Sequence, residues 1–310
     1  MMPLEQATLP WPELPLAPWR PTRDTLHMWT QIVGKTLLAL APAQNHWWHT
    51  ALRVTSRGLA SAPIMDGGRS FDIELDLVDH ALSVRSDGRF ATMALAPRTV
   101  KSFYEEYLAL LRTVGVHVHL WTMPVEVPDP IPFDRDEVHR EYDAAAAYRF
   151  GQVLRCCDAS LKALANGYVG KQSPVHFFWG SFDLAATRFS GRRAPERPGA
   201  DAITREAYSH EAISFGFWPG GAAAGGTYVD EPVLYAYAAP EPDGFREARV
   251  APPAGYDARL GEFILPYAVV RAADDPALAV RAFCESVYEA GARLGKWDRD
   301  TLERAPLHAG

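Results

Sequence analysis

Apolar positions along the chain follow two periods, one typical of helices and one typical of strands. Four segments place their apolar residues on a helical stripe, namely residues 24–40, 99–113, 143–165 and 276–294. Segments with strand character lie between them, at residues 46–56, 71–77, 90–95, 116–121, 175–188, 212–218, 233–238 and 262–266. This order predicts an α+β fold of two similar halves, each built as helix, antiparallel strands and helix.

Proline-rich segments divide the chain into regions. Residues 1–23 predict an extended arm that docks through Trp11 and Trp19, before a helix that Asp24 caps. Residues 124–139 begin with four prolines within nine residues and predict a linker. The N-terminal half then covers residues 24–123 and the C-terminal half residues 140–310. An internal duplication explains the matching order, and a single α+β domain with alternating elements is the other interpretation.

A histidine followed by aromatic residues occurs once in each half, after an amphipathic helix and a loop that contains proline. The two copies are His46-Trp47-Trp48-His49 and His176-Phe177-Phe178-Trp179. Because alternate residues of a strand face opposite sides, parity places His46 and His176 on apolar faces. A buried imidazole needs partners for its ring nitrogens, which backbone groups of the core or a metal ion can supply. Both interpretations stay open.

The strand predicted at residues 212–218 follows a third histidine and a carboxylate. Glu211 shares the parity of the apolar residues on this strand, so its carboxylate must be paired, protonated or bound to a cation. An ion pair with a nearby arginine is the alternative to a metal. His210 faces the small side of the strand, which leaves room for a ligand and carries Ala212, Ser214 and Gly216.

Composition and charge exclude several classes of function. The net charge of −7, the pI near 5.8 and the scarcity of Lys and Arg clusters argue against a nucleic-acid interface. Apolar runs fall short of the roughly 20 residues that a membrane span needs, and the first residues do not resemble a signal peptide. Two of the 3 cysteines are adjacent, which argues against a disulfide framework. We therefore expect a cytoplasmic protein with a small-molecule partner and neither nucleic acid nor membrane; its oligomeric state stays open.

Several other polar residues carry weaker signals. His117 and His119 fall on the face of their predicted strand that we expect to be exposed. Lys35 and Lys171 end the two helix-to-strand connections and are expected to be solvated, while His27 gives no indication of function. The glycine-alanine run that ends at Gly226 suits a loop or a lid.

Motifs across nearly the whole chain resemble an uncharacterised bacterial family, domain of unknown function 5996. The run Lys171-Gln172-Ser173-Pro174-Val175-His176-Phe177-Phe178-Trp179-Gly180-Ser181-Phe182-Asp183-Leu184 carries most of this resemblance. Further matches are Trp11-Pro12-Glu13-Leu14-Pro15, Asn45-His46-Trp47-Trp48-His49, Tyr208-Ser209-His210-Glu211 and Gly216-Phe217-Trp218-Pro219-Gly220. The resemblance implies that the 310 residues form one unit, and it transfers no catalytic residues.

These patterns support three hypotheses of function. The first is an enzyme that acts on a small molecule in a pocket between the halves, with iron, zinc or copper as Lewis acid or redox centre. The other two are a metal-free protein that binds a small molecule, and a metal-independent enzyme in which histidine and Glu211 or Asp183 act as acid and base.

The first hypothesis assigns candidate residues to three roles. The candidate metal ligands are His46, His49, His176 and His210. The candidate pocket walls, which would bind the cofactor, are Trp48, Phe178, Trp179 and Trp218. The candidate catalytic residues are Glu211, Asp183 and Arg188, with the Arg188 guanidinium able to hold a substrate carboxylate through two hydrogen bonds.

Overall fold

Helices and short antiparallel strands alternate through the computed structural model, which describes residues 11–222 and 226–304. The helices are α1 (Leu16–Leu40), α2 (Val100–Thr113), α3 (Ala144–Leu164), α4 (Ala202–Ala207), α5 (Tyr267–Arg271), α6 (Pro276–Leu294) and α7 (Arg299–Leu302). Parts of the predicted arm (residues 1–10), of the predicted glycine-alanine loop (223–225) and of the C-terminal half (305–310) lie outside the described residues.

Fourteen strands in the described chain form two larger sheets and one hairpin. The strands of the N-terminal half are β1 (Arg53–Val54), β2 (Gly58–Ala60), β3 (Ile64–Asp66), β4 (Arg69–Asp76), β5 (Ala81–Ser86) and β6 (Arg89–Ala94). Those of the C-terminal half are β7 (His176–Phe178), β8 (Asp183–Arg193), β9 (His210–Trp218), β10 (Gly221–Ala222), β11 (Tyr228–Val229), β12 (Val233–Ala239), β13 (Gly255–Asp257) and β14 (Glu262–Pro266).

The strand pairing within these sheets is antiparallel throughout. The N-terminal sheet has the order β1-β2-β4-β5-β6, with β3 paired to β4, and the C-terminal sheet has the order β13-β14-β12-β9-β8-β7. β10 and β11 form the hairpin. The predicted α+β class with antiparallel strands is confirmed, while the internal duplication stays a prediction.

The two segments in which a histidine precedes aromatic residues lie where the two sheets join. Leu52 and Phe177 exchange both backbone hydrogen bonds, at 3.0 and 2.8 Å, so β1 of one sheet lies beside β7 of the other. The predicted strand over residues 46–56 is wrong at its start. Residues Asn45–Thr50 form a 3₁₀ turn, in which His46 and Trp47 have φ near +60°. The predicted strand over residues 175–188 is interrupted as well, because a turn separates β7 from β8.

Helix α1 begins at Leu16, earlier than the predicted Asp24. Pro18 lies in its first turn, where a missing N–H removes no helical bond, and Pro21 removes a single donor. The predicted arm is therefore partly helix, and Trp11 before it stacks near Tyr267 with ring centroids 6.1 Å apart. From residue 22 to residue 37 the helix is buried almost all round, because α2, α3 and strand β3 pack against it.

The other long helices agree closely with their predictions. Asp143 caps α3 through the N–H groups of residues 145 and 146, and Pro276 opens α6. The predicted strand over residues 116–121 is wrong, because the described structure has no strand there, while His117 and His119 are exposed as predicted. Within the described residues, no helix has the length and apolar character of a membrane span.

The two faces of the C-terminal sheet have different surroundings. One face packs against α3 and α6 and buries Phe215, Phe217 and Leu234 completely. On the opposite face Ala185, Gly216 and Tyr235 lie side by side on neighbouring strands. This second face forms the floor of the cleft described next.

Candidate active site

A cleft of about 350 Å³ lies on the second face of the C-terminal sheet. Carboxylates and aromatic rings dominate its lining, which includes Glu126, Asp183 and Glu262 together with Tyr208, Trp218, Tyr235 and Tyr237. We call this site the acidic cleft. Its volume corresponds to about a dozen water molecules at about 30 Å³ each, which suits a small molecule.

Asp183 is the most deeply buried carboxylate of the acidic cleft, with 8% of its surface exposed. It opens strand β8, and Tyr235 Oη of strand β12 donates a hydrogen bond to its Oδ2 atom. Its Oδ1 atom has no hydrogen-bond partner among the described residues. Burial raises the pKa of Asp183 to about 7, against an ordinary value of 3.8. Asp183 can therefore gain and lose a proton near neutral pH.

Two further carboxylates face Asp183 across the acidic cleft. Burial raises the pKa of Glu262 on strand β14 to about 7, and the negative charge of Asp183 adds to this effect. Glu126 lies at the mouth, where it is exposed to solvent, but the protein that surrounds it raises its pKa. Ser181 Oγ donates to Glu126 Oε2 at 2.8 Å. Neighbouring carboxylates of this kind titrate as a group, so the protons of the cleft are shared.

Two glycines allow the polar groups of the cleft to approach the backbone. Tyr235 crosses Gly216 to reach Asp183, and a Cβ atom at Gly216 would overlap the phenol ring and Leu184 O. A Cβ atom at Gly180 would likewise overlap the carboxylate of Glu126. Any larger residue at these two positions would therefore displace an acidic or phenolic group of the site.

Three polar residues of α1, spaced four apart, hold the loops that carry Ser181 and Glu126. His27 Nε2 donates to Gly180 O at 2.8 Å. Gln31 clamps the backbone of Val125, donating to its carbonyl at 2.8 Å and accepting from its N–H at 2.9 Å. Lys35 Nζ donates to Met123 O at 2.7 Å. We call His27, Gln31 and Lys35 the α1 clamp.

The α1 clamp corrects one interpretation of the sequence. The predicted solvated position of Lys35 is wrong, because Lys35 is 3% exposed and burial lowers its pKa to about 8. Its ammonium group lies 4.3 Å from the ring centroid of Trp121. Burial also lowers the pKa of His27 to about 3, so the imidazole is neutral and its Nε2–H serves as donor. The sequence feature that could have predicted the α1 clamp is the i, i+4, i+8 spacing of His27, Gln31 and Lys35, which places three polar side chains on one face of an otherwise buried helix.

The predicted metal ligands do not converge. His46 Nε2 accepts from the Lys171 ammonium group at 2.7 Å, and His46 Nδ1 donates to Ala207 O at 3.2 Å, so both ring nitrogens are engaged. The ring of His210 lies 5.7 Å from that of His46. His49 Nδ1 accepts from Gln44 N at 3.1 Å. Among the described residues, no group of three His, Cys, Asp or Glu side chains has a metal-binding arrangement.

His176 is separated from His46 by the indole of Trp48, whose centroid lies 6.0 Å from the His176 ring and 5.4 Å from the His46 ring. The side chain is 1% exposed, and burial lowers its pKa to about 4. Neither ring nitrogen has a hydrogen-bond partner within the described chain. Phe178 packs against the same ring at 5.6 Å. Trp48, Phe178 and His176 thus form an aromatic cluster beside the junction of the two sheets.

The remaining predicted residues divide between the acidic cleft and structural positions. Trp218 lines the cleft, and its Nε1–H has no partner among the described residues. Trp179 instead packs on Gly34 of α1 and donates to Thr50 O at 2.8 Å. Trp179 therefore anchors the loop before Ser181 to α1 and to the turn at Thr50.

Glu211 and Arg188 lie outside the acidic cleft. Glu211 pairs with Arg192 at 2.6 Å and accepts from Ser190 Oγ at 2.9 Å. Arg188 donates to Leu164 O at 2.6 Å at the end of α3, and its guanidinium lies 4.4 Å from the ring centroid of Tyr288. It also lines a smaller cavity of about 210 Å³ on the helical side of the sheet.

Sequence reasoning missed four groups of the acidic cleft, namely Glu126, Tyr235, Tyr237 and Glu262. Tyr235 and Tyr237 share the parity of the cleft face on β12, and Glu262 starts β14. Only the pairing order of the strands brings these groups opposite Asp183, and local patterns do not specify that order.

Fold and site together define an α+β protein with an acidic, aromatic-lined cleft on its C-terminal sheet. The chain belongs to a family of unknown function, DUF5996, which matches residues 11–304. The matched span includes every residue of the acidic cleft and of the α1 clamp. Comparison with curated proteins and with solved structures gave no match.

Proposed function

We propose that the protein is a metal-independent enzyme that transfers a proton to or from a small molecule bound in the acidic cleft, with Asp183 as the acid–base group. The observation that carries this proposal is the unpartnered, buried Oδ1 atom of Asp183 in a cleft of small-molecule size. A general acid or base is most effective when its pKa lies near the working pH, and the pKa of Asp183 is raised to about 7.

Tyr235 fixes which oxygen of Asp183 acts. Because its hydroxyl donates to Oδ2, a proton on the carboxyl group resides on Oδ1, the atom without a partner in the described chain. When Oδ1 gives this proton to a bound molecule, the resulting carboxylate keeps the hydrogen bond from Tyr235. Burial raises the pKa of Tyr235 well above its ordinary value, so Tyr235 remains a donor.

Glu262 supports the return of the proton. Its raised pKa lets it carry a proton at neutral pH, and it is only half-buried at the cleft wall. A proton taken from solvent at Glu262 can pass to the Asp183 carboxylate once the product leaves. Each cycle then takes one proton from water and delivers one to the bound molecule. In the opposite direction, one proton passes from the bound molecule to Asp183 and is released to water.

A metal-dependent enzyme, the first hypothesis from the sequence, receives less support from the arrangement of the histidines. His46 faces the ammonium group of Lys171, and His176 lies beyond Trp48. Elemental analysis of the purified protein, with metal titration, tests this hypothesis.

Deuterium exchange tests the proposed proton transfer for a substrate of any identity. A cell metabolite extract is incubated with the protein in D₂O and followed by mass spectrometry. We expect at least one metabolite to gain deuterium bound to carbon or to be converted, and Asp183→Asn to slow this by at least about 100-fold. The control is Asp275→Asn, which preserves the side-chain cap of α6 far from the cleft chemistry. Equal labelling by wild type and Asp183→Asn would refute the proposal.

A further inference from the structure

The charges around the acidic cleft are unbalanced. Among the residues that the structure describes, three carboxyl groups line it, those of Glu126, Asp183 and Glu262, against one lining arginine, Arg259. Arg259 is already engaged by Asp257, at 2.7 Å. Since a partly enclosed cleft strengthens electrostatic interactions, a positively charged occupant would be stabilised and an anion repelled.

Two polar atoms of the acidic cleft lack partners among the described residues, and they have opposite hydrogen-bonding character. In the ionised form of Asp183 its Oδ1 atom needs a donor, Trp218 Nε1–H needs an acceptor, and both residues are only 8% exposed. A buried polar atom without a partner is unfavourable, and a ligand with matching groups removes this cost. The occupant should therefore present an N–H donor at Asp183 and an oxygen at Trp218.

The aromatic walls of the cleft suit the same occupant. The rings of Tyr235 and Tyr237 stack at 6.2 Å with an interplanar angle of 15°, and Tyr208 Oη lies 3.1 Å from Tyr237 Oη. Aromatic faces attract organic cations and cover the carbon atoms next to the charge. Inorganic cations prefer an all-oxygen shell, which these rings would interrupt.

From these three observations we infer that the substrate is a small primary or secondary ammonium compound that carries an oxygen acceptor, with its N–H groups directed at Asp183 and Glu262. This inference rests on the proposed function, because it assigns the substrate class to the same cleft. The ammonium group would meet the carboxylates, the oxygen would accept from Trp218, and the carbon body would lie on the tyrosines.

Matched compounds that differ only in charge test the substrate class by direct binding. A suitable triple is furfurylamine, furfuryl alcohol and furoate, all of which carry the ring oxygen, measured by calorimetry and ligand-observed NMR. We expect the ammonium member to bind at least tenfold more tightly than its neutral partner, and the carboxylate member to bind least. Glu262→Gln should weaken ammonium binding at least fivefold, and Asp183→Asn should do the same.

The matched control is Glu137→Gln, which removes an exposed carboxylate of the predicted linker segment and should leave binding unchanged. The inference is wrong if no ammonium member binds more tightly than its neutral partner. It is also wrong if Glu262→Gln leaves the affinity for the ammonium member unchanged. Glu262 is half-buried, so its replacement should disturb the fold less than replacement of the buried Asp183. Ammonium binding without deuterium transfer would overturn the proposed function alone. Deuterium transfer confined to neutral or anionic metabolites would overturn the substrate class alone.

Discussion

Replacing Asp183 by Asn should change how the stability of the fold depends on pH. Burial raises the pKa of Asp183 to about 7 in the folded protein, against 3.8 ordinarily, so the folded state holds a proton that the unfolded chain releases. The group therefore favours folding below pH 4, and this contribution is lost as the pH rises to about 7. Asn carries no titratable proton and still offers an oxygen to Tyr235.

The size of this effect follows from the two pKa values. Between pH 5 and the folded pKa near 7 lie about two pH units, each worth 1.36 kcal/mol, which gives roughly 2 to 3 kcal/mol. The wild type should lose this contribution of Asp183 to its free energy of unfolding between pH 5 and pH 8. The variant has no such contribution to lose. Because the charge of Asp183 also raises the pKa of Glu262, its removal acts in the same direction.

Urea unfolding at pH 5 and at pH 8 measures this effect. At each pH the free energy of unfolding of the wild type is subtracted from that of the variant, and the two differences are compared. The free energy of unfolding of Asp183→Asn minus that of the wild type should be larger at pH 8 than at pH 5 by roughly 2 to 3 kcal/mol, so the variant is relatively more stable at pH 8. Asp76→Asn is the control, because hydrogen bonds and Arg57 lower the pKa of Asp76, which therefore does not titrate in this range. A stability difference for Asp183→Asn that is the same at both pH values would refute the reasoning.

Three further predictions concern Gly216, Gln31 of the α1 clamp, and the pH dependence of ammonium binding. Gly216→Ala should destabilise the fold by about 1 to 3 kcal/mol in urea unfolding, because its Cβ overlaps Tyr235; an unchanged midpoint would contradict that contact. Gln31→Met should cost about 1 to 3 kcal/mol and speed amide exchange at Val125, whose N–H it accepts; unaltered exchange there would argue against the clamp. Ammonium affinity should rise from pH 5 to pH 8, as Asp183 loses its proton, and calorimetry in two buffers should detect proton release; a flat profile would contradict the shared-proton description.

Local patterns predict the helices and most strands because the signals lie within each segment. The caps Thr99 and Asp143 precede their helices, and the turn at Gly88 defines the hairpin of β5 and β6. The prediction is wrong where tertiary contacts decide. His46 adopts a left-handed conformation in a 3₁₀ turn, and the start of α1 includes prolines that usually indicate an extended arm.

The candidate site is only partly predictable. Parity on β9 predicts a small-residue face with room for a ligand, and the acidic cleft lies on that face, over Gly216. Asp183 is among the candidate catalytic residues. Glu262 and Tyr235 come from strands β14 and β12, which the chain reaches only after long connections, so their approach to Asp183 depends on sheet order. In the sequence His46 and His176 resemble metal ligands because they occupy equivalent places on apolar faces, a pattern that also arises where two sheets join.

The most direct test of the account is a titration of the Asp183 carboxyl group by carbon-13 NMR, with the resonance assigned by its disappearance in Asp183→Asn. The account predicts a midpoint near pH 7, because burial and the nearby carboxylate of Glu126 raise the pKa of Asp183 against the opposing hydrogen bond from Tyr235. A midpoint near the ordinary value of 3.8 would contradict it, since Asp183 would then be a permanent carboxylate at neutral pH and a poor proton donor.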